Sequence, residues 1–137
     1  MDSKDTSKRI RLLEAANQLV HQQGFKQTTL ADIAQKADVP LGNVYYYYKT
    51  KENIGEDLIS YRTHYYQSLL SEWEKSTDPI KRILSLIEEV ARQREVLACS
   101  GCPIGSLCQE LHKEGGPLAD KAAALLASIL SWLEQQF

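Results

Sequence analysis

Hydrophobic positions in this chain recur at intervals of three and four residues, and no stretch alternates with period two. Ile10, Leu13, Ala16 and Val20 mark a first helix, stopped by Gly24 after the polar His21-Gln22-Gln23. Thr28 and Thr29 suit a cap, and Thr29-x-x-Asp32 approximates a capping box for a short second helix ending near Ala37-Asp38. Val39-Pro40 is a turn, and a third short helix runs through Val44 to Tyr48. Thr50 caps a long fourth helix carrying Ile54, Leu58, Tyr61, Tyr65, Leu69 and Trp73. Asp78-Pro79 opens a fifth helix with Ile80, Ile83, Leu84, Ile87, Val90 and Ala91 on its stripe. A punctuated segment from Ser100 to Pro103 precedes a sixth helix over 104–112, and Glu114-Gly115-Gly116-Pro117 separates that from a seventh over 118–137. The expected fold class is all-α.

Composition agrees with a globular body: 43% hydrophobic and 25% charged over 137 residues. No apolar run reaches eighteen residues, and Met1 leads into Asp2-Ser3-Lys4-Asp5 rather than a basic start followed by an apolar stretch. The expected setting is therefore the cytoplasm, with no membrane partner. The net charge of −2 is unevenly spread. Residues 1–51 hold eight Lys/Arg against five Asp/Glu, a net +3, which leaves −5 for the remainder. A basic head on an acidic body is the asymmetry expected when one end meets phosphate.

Two short helices joined by a tight turn, after a longer one, form the arrangement of a helix-turn-helix DNA reader. Ile33, Ala34, Ala37 and Val44 would bury, with alanine allowing close helix approach, leaving one face of the third helix free. Four consecutive tyrosines, Tyr45 to Tyr48, cannot all point inward on one helix, so at least two must be exposed. Tyrosine offers a hydroxyl to phosphate and a ring to a thymine methyl, and Asn43 can pair with adenine.

The segments Thr28-Thr29-Leu30-Ala31-Asp32-Ile33-Ala34 and Val39-Pro40-Leu41-Gly42-Asn43-Val44-Tyr45-Tyr46-Tyr47-Tyr48-Lys49-Thr50-Lys51-Glu52-Asn53 resemble the signature of the TetR family of transcriptional regulators. The resemblance covers roughly the first third of the chain. It implies that Gly42 and Asn43 lie near base edges and that Tyr46 faces the groove. It further implies phosphate contacts from Tyr45, Tyr47 and Lys51, with Thr28 or Thr29 as a backbone anchor, and Leu41 and Lys49 belong to the same expected interface. Two positions depart from the pattern: Leu41 stands where many members have lysine, and Tyr48 where phenylalanine usually closes the aromatic run. Tyr48 faces the core on this reading, and its hydroxyl then needs a partner. Lys8, Arg9 and Arg11 are ancillary phosphate attraction.

The resemblance also implies a helical sensor domain over 50–137 behind a head over 1–49. Tyr61, His64, Tyr65 and Ser68 on the fourth helix, with Ile87, Val90 and Arg94 from the fifth, are its candidate ligand wall. Plain helix packing accounts for the same stripe, and a lone His64 there reads as structural. Cys99-x-x-Cys102-x5-Cys108-x3-His112 is open to three readings. The cysteines can fill a tight helix junction. Cys102, at the start of the sixth helix, can be a reactive thiol, making Cys99, Cys102 and Cys108 redox-sensing candidates; some members with a similar Gly-Cys segment respond to electrophiles or oxidants. Lastly, Cys99, Cys102, Cys108 and His112 could hold zinc or copper(I).

Two later helices that usually build the family's dimer bundle are not in this sequence. Ala122, Leu125, Leu126, Ile129 and Trp132 are accordingly expected to form an exposed or partner-covering face. The sequence thus predicts a dimeric, sequence-specific repressor, not an enzyme and without a cofactor. Operator DNA and a small-molecule inducer are its partners, and a ligand or thiol modification releases it. The rival, a Cys-x-x-Cys thiol oxidoreductase, lacks the βαβ context that motif normally needs.

Overall fold

The computed structural model of the chain describes residues 3–137, with side chains from residue 6 onward. Asp2, which enters the charge balance, lies outside the described residues, as do the side chains of Lys4 and Asp5. Eight helices and no strand occupy the described residues: α1 (Ser3–Gln23), α2 (Leu30–Ala37), α3 (Leu41–Tyr47), α4 (Lys51–Trp73), α5 (Pro79–Arg92), α6 (Arg94–Ser100), α7 (Gly105–His112) and α8 (Pro117–Gln135). No helix among them is long and apolar enough to cross a membrane.

Local chemistry sets most boundaries. Gly24 ends α1 with a left-handed φ of 91°, and its N–H returns to the Val20 carbonyl at 2.9 Å. Thr29 caps α2 by accepting from the Asp32 N–H, while the Asp32 carboxylate accepts from the Thr29 N–H, a full capping box. Thr50 and Asn53 repeat that reciprocity at α4. Asp78 caps α5, with Pro79 at its first turn.

Two hydrophobic clusters share α1 and α4. The first joins Leu12, Ala15 and Ala16 to Ile33, Ala34, Ala37, Val39, Val44, Tyr48 and Ile54, closing the tri-helical head. The second joins Val20 to Leu58, Ile59, Leu107, Leu111 and Ala122, seating α7 and α8 on the other half of the same two helices. At Gly55 a Cβ would stand 3.0 Å from the Phe25 ring and 3.1 Å from Leu118, so glycine lets both pack directly on α4.

Three expectations need correction. The fifth predicted helix is two, α5 and α6, broken at Gln93, whose N–H tightens onto the Val90 carbonyl while its side chain bonds Glu89. The apolar stripe of α5 is not core: Ile80, Leu84, Ile87 and Val90 are exposed, since no described element packs over them. Conversely, Ala122, Leu125 and Trp132 are buried rather than exposed, because α8 packs on α4 and α7. Trp132 lies 5.6 Å from Trp73, and its indole N–H donates to Glu74 Oε1.

Candidate functional site

The tri-helical head presents α3 outward. Val44 and Tyr48 point into the core, so the helical period turns Leu41, Gly42, Tyr45 and Tyr46 to solvent, with Tyr46 73% exposed. A Cβ at Gly42 would meet nothing within 4 Å, so no neighbour in the chain demands glycine there. Asn43 is half-buried and accepts from Lys8 Nζ at 3.3 Å. Tyr47 packs against the head core and edge-on to Tyr46, ring centroids 5.0 Å apart. The Tyr48 hydroxyl has found its partner, donating to Asp57 Oδ2 at 2.8 Å. Burial and this carboxylate push its pKa well above the usual tyrosine value. Arg9 also pairs with Asp57, at 2.5 Å, so among the ancillary cations it is already committed.

Two expected DNA contacts sit differently from their sequence reading. Thr28 is 1% exposed: its hydroxyl donates to the Gly24 carbonyl at 2.7 Å and accepts from Gln23 Nε2. Thr29, at the start of α2, is exposed. Lys51 does not extend outward. Its ammonium donates to the Phe25 carbonyl at 2.7 Å and the Lys26 carbonyl at 3.3 Å, 4.5 Å from the Phe25 ring centroid. Lys49 remains exposed.

Behind the head, a cavity of about 260 Å³ opens between α1, α4, the α5–α6 break and the turn before α7. Its lining includes Tyr61 and Tyr65 from the expected wall, together with Arg62, Tyr66, Asn17 and Pro103. His64 faces α8 instead, beside Lys121 and Ser128, and Ser68 lies in a shallow surface hollow with Ser71 and Lys75. Ile87 and Val90 are on the uncovered face of α5, and Arg94 is exposed at the start of α6. These five do not line this cavity; His64 and Ser68 miss it because α4 presents positions 61, 62, 65 and 66 to one side and 64 and 68 to another.

The cysteine cluster is dispersed. Among the described residues no three His, Cys, Asp or Glu side chains converge as metal ligands, so Cys99, Cys102, Cys108 and His112 are not a preformed metal site. Cys108 is half-buried, donates to the Ala122 carbonyl at 3.2 Å, and burial raises its pKa. Cys99 and Cys102 are exposed. The Cys102 sulfur accepts the Gly105 N–H at 3.3 Å and its carbonyl accepts from Ser106, which places this residue at the opening of α7.

The family model described as "Bacterial regulatory proteins, tetR family" matches residues 12–58, from within α1 into α4. Residues 12–58 are a TetR-family domain. TtgR of Pseudomonas putida, an HTH-type transcriptional regulator, is 32% identical over 84 residues, 60% of this chain and 40% of that protein. The transcriptional regulator AcuR of Cereibacter sphaeroides is 30% identical over 121 residues, 87% of this chain and 54% of AcuR. The crystal structure of E. coli NemR in its reduced form shares the fold with a TM-score of 0.81 at 25% identity, covering 94% of this chain and 68% of that one. The chain thus spans about half the length of the curated relatives it matches. Those relatives are named as regulators of transcription, not as enzymes.

Behind this TetR-family head, sequence reasoning missed two groups that the fold makes central. Arg62, on a helix of mixed polarity, reads as a surface arginine but is 4% exposed. Glu110 of α7 accepts the Phe25 N–H at 2.9 Å and the Lys26 N–H at 2.7 Å, so a body helix caps the turn that leads into α2. Its only sequence signal is a lone carboxylate 84 or 85 residues from its partners.

Proposed function

We propose that the chain is the DNA-binding and sensing part of a cytoplasmic transcriptional repressor that occupies its operator as a homodimer. The observation that carries this reading is the outward face of α3. A fully packed helix-turn-helix leaves Gly42, Tyr45 and Tyr46 open beside the exposed Thr29 and Lys49. Thr29, Tyr45 and Lys49 supply phosphate contacts, while Gly42, Asn43 and Tyr46 approach base edges. Leu41, exposed at the first position of α3, offers an apolar contact where a lysine would offer charge.

Operator selection from a random duplex library, followed by fluorescence anisotropy, tests it. Tyr46→Ala should weaken the selected duplex more than a scrambled one, and Lys49→Ala should weaken both alike while lowering the salt slope by about 1. No selected sequence, or equal loss on both duplexes for Tyr46→Ala, refutes the assignment.

Release from the operator comes from a ligand seated against Tyr61 and Tyr65 in the cavity behind the head. A second trigger, modification of Cys102, is favoured by one specific observation: this sulfur is exposed and already accepts a backbone N–H where α7 begins.

A further inference from the structure

The cavity behind the head contains a buried cation with no anion. Arg62 makes three hydrogen bonds, to Asn17 Oδ1 at 2.8 Å, the Asn17 carbonyl at 3.2 Å and the Pro103 carbonyl at 2.6 Å, all neutral oxygens. Among the described residues no carboxylate pairs with it. Burial disfavours its charge, yet a guanidinium stays protonated, so the uncompensated charge persists. Tyr66, coupled electrostatically to Arg62, is half-buried and its hydroxyl bonds to no described residue. Besides Tyr66, the acidic side chain coupled to Arg62 is the Cys102 thiol, which is exposed and holds the Gly105 N–H.

Three further donors on the cavity rim are already engaged. Arg92, Tyr65 and Gln93 all donate to Glu89, which neutralises Arg92 locally. The guanidinium has N–H groups beyond its three bonds. Arg62 and Tyr66 therefore offer unused donors to a space that Tyr61, Tyr65, Val96 and Pro103 wall with rings and apolar carbon. The volume of about 260 Å³ falls below the ~300–1,000 Å³ of drug-sized pockets, so it suits a single ring.

We infer that this cavity binds a small aromatic monocarboxylate, its carboxylate on Arg62 and Tyr66 and its ring among Tyr61, Tyr65 and Val96. The inference names the ligand class for the sensing function proposed above and depends on that reading only for its consequence. That consequence follows from the same guanidinium. Arg62 ties Asn17 of α1 to the Pro103 turn, and a carboxylate that recruits it competes with both ties.

Benzoate and its neutral amide benzamide, titrated into the purified full chain by calorimetry and thermal shift, decide it. Benzoate should bind and raise Tm, while benzamide at the same millimolar concentration should not. Arg62→Met should abolish the benzoate response. If that variant fails to fold, Tyr66→Phe, which removes one hydroxyl, should weaken benzoate by about tenfold, as loss of a charge-assisted hydrogen bond does. No benzoate binding, equal binding of benzamide, or full affinity in Tyr66→Phe overturns the inference. Selected-duplex binding is measured on the same samples without benzoate. DNA binding with a silent benzoate titration refutes the ligand class and leaves the repressor, whereas benzoate binding with no DNA binding does the reverse.

Discussion

Replacing Lys51 with alanine separates two roles that its position in the motif superimposes. As a phosphate contact, Lys51 would be free until DNA arrives, and its loss would leave the unbound protein as stable as before. In the structure its ammonium is committed to the Phe25 and Lys26 carbonyls and lies over the Phe25 ring. Hydrogen bonds to a charged group contribute about 1.5–3 kcal/mol and an exposed cation–π contact about 0.5–1. The site is half-exposed, so water recovers part of this, and the expected net loss is about 1–2 kcal/mol. Urea denaturation of the DNA-free protein should show that loss as a lower midpoint with unchanged m. The salt dependence of binding should keep its slope for Lys51→Ala and fall by about 1 for Lys49→Ala. Unaltered stability together with a reduced salt slope for Lys51→Ala would refute the bracing role and restore the phosphate contact.

Glu110→Ala removes the acceptor for two N–H groups of the turn before α2, and should cost about 1–2 kcal/mol in urea denaturation. It should also blunt any ligand- or oxidant-driven release, read as a smaller anisotropy change per bound effector. Glu89 has its pKa lowered, chiefly by the Arg92 hydrogen bond, so its contribution is present above the ordinary value of 4.5 and is lost as pH falls through the depressed folded value. Acid titration followed by tyrosine fluorescence should therefore report the cavity rim loosening below pH 4.5 in wild type, with Glu89→Gln lacking that step. Cys102→Ser should abolish peroxide-triggered operator release while Cys99→Ser retains it; release unchanged in Cys102→Ser removes this sulfur as the trigger.

Much of the head was legible because its boundaries are set by neighbours in sequence. Thr29 with Asp32, Thr50 as a cap, Gly24 and Val39-Pro40 act within four residues of themselves, and each stands where the pattern put it. The number of outward tyrosines followed from helical geometry alone. What failed depends on remote partners. Periodicity marked the apolar stripes of α5 and α8 equally well, but whether another helix covers a stripe is a tertiary fact, and the two came out opposite. The break at Gln93 carries neither glycine nor proline to announce it. The bonds of Lys51 and Arg62 could not be read from the sequence for a common reason: long cationic side chains can bury their stems and choose acceptors far along the chain. Asn17 lies 45 residues from Arg62, and the Phe25 carbonyl 26 from Lys51.

Those remote bonds give the proposed signal a physical route. The turn at Phe25 and Lys26 sets where α2 begins, and three elements hold it. Lys51 of α4 takes its carbonyls, Glu110 of α7 takes its amides, and Lys26 pairs with Glu114 just beyond α7 at 2.5 Å. Gly24 borders the α7 grip: its φ of 91° favours glycine, and a Cβ there would stand 2.9 Å from Glu110 Oε1. Cys102 opens α7, and Arg62 fastens the Pro103 turn to α1, so both proposed triggers act on the N-terminal end of the helix whose far end caps the turn. Because α1 and α4 each belong to both hydrophobic clusters, head and body have no smooth interface along which to slide. On the proposed mechanism a shift of α7 would reach α2 through the Phe25–Lys26 turn, whose amides Glu110 holds and whose Phe25 ring packs in the second cluster.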